Sequence, residues 1–260
     1  MSYFENFLKA NQAYVELHGD LHLSIGLSNK CVKEMSDFGE AWYDHATKIE
    51  VNWRRLIAQD DLVLVPGDLC WANRFEDAFP ALKWLATLPG KKVLIKGNHD
   101  NWWVGNERLQ KYLPEGIYAI RNNALMVGDI YLAGSKGWTY AINENKEHRD
   151  RMLLREYKRM RVSLDAWPKK GGRLRILMTH YPPFNHSVSD KRFLDLLDEY
   201  SVDTCIFGHL HGGDATLFQN FSYHNKKLIL VSADKLDFSP LKLYSLESNS
   251  DTVRYISASV

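Results

Sequence analysis

Short apolar runs punctuate this chain. "YVEL" at 14–17, "LVLV" at 62–65, "KVLI" at 92–95, "IYLA" at 130–133, "LRILM" at 174–178, "TCIF" at 204–207 and "LILVS" at 228–232 are bounded by turn-forming residues and read as strands. Two later runs, "LKLYSL" and "TVRYIS", alternate more and fit antiparallel strands. Between the strands, apolar residues recur at steps of three and four. One stripe is Phe38, Trp42, Ala46, Ile49, Trp53 and Leu56; another is Leu153, Tyr157, Met160, Leu164 and Trp167. Both read as core-facing helix faces. Pro168, Gly171 and Gly172 end the second helix. Strands alternating with helices predict an α/β domain, and the late hairpin-like strands predict a mixed sheet.

The 260 residues contain no repeat, low-complexity tract or Gly/Ser linker, so the expectation is one domain over 1–260. The composition, 45% hydrophobic and 25% charged, is that of a globular protein. A net charge of only +1 removes any general electrostatic case for nucleic acid or an acidic membrane surface. Cys31, Cys70 and Cys205 are far apart and form no CxxC, which disfavours a disulfide framework and fits a reducing compartment. The opening "MSYFENFLKA" lacks the basic-then-apolar pattern of a signal peptide, and no apolar run approaches the ~20 residues of a membrane helix. The cytoplasm is the expected location.

The chemistry gathers where the strands stop. "HGDLHLS" after the first strand holds Asp20 and His22. "PGDLCW" holds Asp68, and "KGNHD" holds Asn98, His99 and Asp100. "THYPP" holds His180, and "GHLHGG" holds His209 and His211. Parallel strands of an α/β sheet present ligand sites at their carboxyl ends. Asp20 and His22 are two apart, as are His209 and His211, so each pair points to one side of an extended chain. Glycines at 19, 67, 97, 208 and 212 allow tight turns and close backbone approach. Imidazole, carboxylate and amide oxygen without thiolate suit Mn, Fe or Zn in a reactive site better than a structural zinc.

The ordered set D-x-H, GD, GNHD, H and GHxH, running from residue 20 to residue 211, resembles the calcineurin-like metallophosphoesterases. "DDLVLVPGDLCWA", "LPGKKVLIKGNHDNWW" and "NNALMVGDIYLAGSKGW" further resemble a bacterial branch of predicted phosphohydrolases. The resemblance implies an α/β, four-layer αββα sandwich with two central mixed sheets and a dimetal site at the strand carboxyl edge. It implies that Asp20, His22, Asp68 and His211 hold one metal. Asp68, Asn98, His180 and His209 would hold the other, with Asp68 bridging. It makes His99 catalytic rather than a ligand, with Asp100 supporting His99 or the neighbouring backbone.

Such a site answers a chemical problem. Phosphate esters are anionic and water is a poor nucleophile; two cations ~3.5–4 Å apart neutralise the phosphate and acidify a shared water, which attacks phosphorus. An unligated imidazole is suited to protonating the departing oxygen. The implied function is hydrolysis of a small or medium phosphorylated substrate, a diester ahead of a monoester. The alternatives are a metal-free scaffold of the same fold and a nuclease. Lys136 and Trp138 in "GSKGW", with Tyr181, are candidate substrate contacts. Trp102, Trp103 and Tyr181 fit either pocket wall or core. The basic stretch 146–175 fits a solvated helix face, or a basic side bordering the metals. His18 reads as an interior histidine, and Trp71 stands where many relatives carry a second acid, GDxxD.

Overall fold

The computed structural model describes residues 12–27, 35–139, 145–169, 171–184, 191–215, 221–247 and 253–255. Cys31, Lys170, the opening decapeptide and both flanks of the last predicted strand lie outside them.

In one sheet, β1 (Gln12–Leu17), β2 (Leu62–Val65), β3 (Lys91–Leu94) and β4 (Ile117–Ala119) run parallel. On the free side of β1 lies β11 (Leu241–Glu247), antiparallel, followed by β12 (Val253–Tyr255). In the other sheet, β6 (Ile130–Ser135), β7 (Leu174–Thr179), β8 (Thr204–Phe207) and β10 (Lys226–Leu230) run parallel. Its antiparallel edges are β5 (Ala124–Val127) and β9 (Phe221–Tyr223).

Side-chain alternation sorts the core into three layers. Leu62, Leu64, Leu132, Ile176, Met178 and Ile206 point between the sheets. Val63 and Val65 point the other way, onto Ile49 and Trp53 of α1 (His45–Leu56) and onto Leu82 and Leu85 of α2 (Phe79–Thr87). Leu177, Cys205 and Phe207 likewise face Leu153, Met160 and Leu164 of α4 (Lys146–Asp165) and Leu197 of α5 (Leu194–Glu199). Three apolar layers separating four layers of elements make an αββα sandwich. The uninterrupted "LVLV" is buried on both faces, as a central parallel strand requires.

Two expectations need correction. The first helical stripe is not one helix: Phe38 ends a short 3₁₀ turn (Met35–Phe38) and is 60% exposed. Gly39, at φ 136°, breaks the path before α1, and Leu56 is exposed at its far end. The sequence pattern also overlooked β4, β5 and β9. These are three- or four-residue edge strands, too short to show a period, as edges often are. Among the described residues, no helix is long and apolar enough to cross a membrane.

Candidate metal centre

The loops after β1, β2, β3, β7 and β8 meet at one edge of the sandwich. Their backbone is bent to do so. Asp20, His22, Asp68 and His209 all have positive φ, between 45° and 71°. Non-glycine residues are uncommon there, and such conformations persist where surrounding structure fixes them. Two motif glycines make room: a Cβ at Gly97 would overlap Asp68 Oδ1, and one at Gly208 would overlap Asp20 Oδ2.

Donor atoms of Asp20, His22 and His211 all lie within 4.8 Å of one another, and so do donors of Asp20, Asp68 and His180. His22 Nε2 and His211 Nε2 are 3.3 Å apart. Donors of one tetrahedral ion with ~2.0–2.1 Å bonds are separated by about that distance. Asp68 Oδ2 sits between the groups, 3.7 Å from His22 Nε2 and 3.4 Å from His180 Nε2. Asn98 Oδ1 is 2.6 Å from His180 Nε2 and 2.8 Å from His209 Nδ1. The Pro66 carbonyl, 3.1 Å from His180 Nδ1, can only accept, so that nitrogen carries the proton and Nε2 keeps its lone pair for the site.

Backbone donors orient the carboxylates. His209 N–H donates to Asp20, and His99 N–H donates to Asp68 Oδ1 at 2.8 Å. Asp100 is fully buried and accepts from the backbone N–H of Asp68, Leu69, Cys70 and Gly97 and from the Trp102 indole. It ties the loop after β2 to the loop after β3. The His99 ring lies against Trp71, with centroids 4.4 Å apart, and 5.6 Å from His22.

Burial, with the Asp20–Asp68 repulsion, pushes the Asp20 carboxyl up, and burial pushes Asp68 up too. Burial also holds His22, His180 and His209 down, the last two to about 3. Burial acts downward on His211 as well, but the hydrogen bond from its Nδ1 to Asp234, 2.7 Å, prevails and raises it. The set thus combines carboxylates short of positive charge with three rings, His22, His180 and His209, that resist protonation. Divalent cations meet that need, because they bind ionised carboxylates and neutral imidazoles. The donor chemistry therefore fits a two-cation site.

Two cavities share no wall residue, and only the larger is lined by donor side chains. One, of about 600 Å³, is walled by Met35, Phe38, Trp42 and Trp71 and reaches His99 and His211. The other, of about 270 Å³, is lined by Lys96, Arg121, Lys136, Arg155 and Arg159. Lys136 Nζ lies 4.2 Å over the Trp138 ring and 5.6 Å from that of Tyr181, and Tyr181 packs on His209 at 4.3 Å. Trp102 is core, Trp103 is core and also lines the smaller cavity, and His18 is interior, stacked on Trp53. Arg155 and Arg159 bring the basic side of α4 to this edge, whereas Arg161 pairs with Glu199.

Sequence reasoning passed over Asp234, Trp42 and the Lys96–Arg121 pair. Asp234 had a readable signal: it follows β10 just as the other polar groups follow their strands. Trp42 and Arg121 are brought in by loops and carried none.

A sequence profile described as calcineurin-like phosphoesterase matches residues 17–213. Gene 66 protein of Mycobacterium phage D29 is 26% identical over 194 residues, covering 74% of this chain and 75% of that one. Its counterpart in phage L5 is 24% identical over 194 residues, covering 74% of each. Among solved structures, a protein of unknown function from Aquifex aeolicus aligns with a TM-score of 0.48 and 17% identity, covering 88% of this chain and 95% of that one. A predicted phosphoesterase from Streptococcus pneumoniae aligns at 0.34 and 11%, covering 85% and 72%. With the profile spanning every strand-end donor from Asp20 to His211, this chain belongs to the calcineurin-like phosphoesterase family.

Proposed function

We propose that this protein, one domain across its length, hydrolyses a phosphoester in a small or medium substrate with two bound divalent cations, and that the substrate is a diester. The observation that carries the reading is Asp68, whose Oδ2 stands between an imidazole of each donor group. Asp20, His22 and His211 with Asp68 would hold one cation, and Asp68, Asn98, His180 and His209 the other. Bound there, the cations would neutralise phosphate charge and make water a better nucleophile near neutral pH.

The chain's own residues do the rest. The ester P–O bond breaks as water's oxygen joins phosphorus, and the departing oxygen takes the electron pair and needs a proton. His99, at the wall of the larger cavity and beside the donors, supplies it. Lys136, Trp138 and Tyr181 hold the ester from the other side. A diester carries two substituents on phosphorus, and two separate cavities, one lined by donors and one by Lys136, support that choice over a monoester.

The test is metal analysis of the purified protein, then a panel of phosphomonoesters and diesters with Mn added. Two equivalents of metal and faster diester turnover are expected. His99→Ala should keep both metals and lose most turnover, by ~10²–10⁴-fold, while Asp68→Asn should lose metal too. Full metal without hydrolysis of any ester would make the protein a scaffold, and loss of metal in His99→Ala would overturn the division between ligand and proton donor.

A further inference from the structure

The smaller cavity carries more positive charge than a second ester substituent needs. Five cationic side chains, Lys96, Arg121, Lys136, Arg155 and Arg159, converge on it, with Glu156 as its one carboxylate. Glu156 is buried and already committed. It accepts from Ser135 Oγ at 2.8 Å and from Arg159 at 2.6 Å, with Arg155 3.5 Å away. One carboxylate cannot balance five cations. Arg121 spends one donor on the Val104 carbonyl. The Lys136 ammonium rests over the Trp138 ring.

Gathering like charges in a half-buried space opposes folding. An anion in the cavity would remove that penalty. Guanidinium groups suit phosphate because their planar donors can bind two oxygens at once. The space, about 270 Å³, far exceeds the ~10–15 Å³ that one water needs. It also adjoins the reaction centre. The Lys136 carbonyl accepts from the N–H of His180 and of Tyr181. Lys96 lies two residues before Asn98.

We propose that this cavity binds a second phosphate group of the substrate, so that the compound carries at least two phosphates, of which only the one at the donor set is attacked. The assignment rests on the hydrolase reading above and names its substrate class.

Two measurements separate the assignment from that reading. The first uses chelator-treated, metal-free protein and titrates inorganic pyrophosphate by calorimetry. Binding is expected, falling at least tenfold in Arg155→Ala/Arg159→Ala and weakening with salt. Because Arg159 also partners buried Glu156, Arg155→Ala alone is measured in parallel, with circular dichroism to confirm folding; a several-fold loss is expected there. The second uses the Mn-loaded enzyme and a p-nitrophenyl nucleotide diester with and without a terminal phosphate. The kcat/KM ratio favouring the phosphorylated probe should fall at least tenfold in the double variant. No pyrophosphate binding, or an unchanged ratio, overturns the assignment. Binding of a short oligonucleotide at least tenfold tighter than pyrophosphate overturns its small-substrate form. If pyrophosphate binds but neither probe is cut, the hydrolase reading fails and the cavity stands as an anion site.

Discussion

Glu16 offers a stability test that the metal centre cannot confuse. It lies on β1, is 1% exposed, and has Lys242 Nζ at 3.7 Å from Oε1. Burial, offset in part by Lys242 and reinforced by Asp61, raises its carboxyl from 4.5 to about 8. The folded chain therefore keeps a proton that the unfolded chain releases between those values, so the contribution of Glu16 to stability is most favourable below pH 4.5 and declines toward pH 8. Each pH unit within that window costs about 1.4 kcal/mol, which makes about 3 kcal/mol at pH 7 and under about 1 kcal/mol at pH 5. Glu16→Gln mimics the protonated form permanently. It should exceed wild type in urea unfolding by about 3 kcal/mol at pH 7 and match it within about 1 kcal/mol at pH 5. Asp20, Asp68 and Asp100 titrate in both proteins and cancel in the difference. A gap that is constant with pH, or a less stable variant at pH 7, refutes the reasoning.

Other residues give sharper local outcomes. Gly208→Ala drives a methyl into Asp20 Oδ2, so bound metal by elemental analysis should fall from two equivalents toward one or none while the far-ultraviolet spectrum is kept. Asp100→Ala strips the acceptor from the buried N–H groups of Asp68, Leu69 and Gly97; at about 1–3 kcal/mol each, a urea titration should show a loss of about 3 kcal/mol or more. Asp234→Ala removes the partner that aims His211, and Mn affinity by competition with a chelating dye should weaken ~10–100-fold.

The site was legible where the chain obeys a local rule, and hidden where it does not. Asp20, Asp68, Asn98, His180 and His209 each follow an apolar run that had to be a strand, and parallel strands deliver their ends to one edge. Burial of both faces made β2 and β8 plain as "LVLV" and "TCIF". Phe38 fell off its supposed helix because one glycine at φ 136° outweighs a matching period. The Lys96–Arg121–Arg159 grouping was invisible for another reason. Its members come from the end of β3, the loop after β4 and the middle of α4, and only the packing of one sheet on the other joins them.

That packing also explains why the two flanks of the donor set differ in character. Met35, Phe38, Ala41, Trp42 and Trp71 line one flank, and none of these side chains carries charge; Trp71 lies 4.9 Å from the His22 ring and 4.4 Å from that of His99. An acid at position 71, as in GDxxD relatives, would set a carboxylate beside the His99 ring. The indole instead keeps that flank apolar, which favours a neutral or aromatic leaving group beside His99. The flank beside Lys136 is cationic because α4 delivers arginines from one face while Leu153, Met160 and Leu164 anchor the other in the core. The polarity of the site is thus built by sheet and helix placement, with an apolar wall beside His99 and a positive wall beside Lys136.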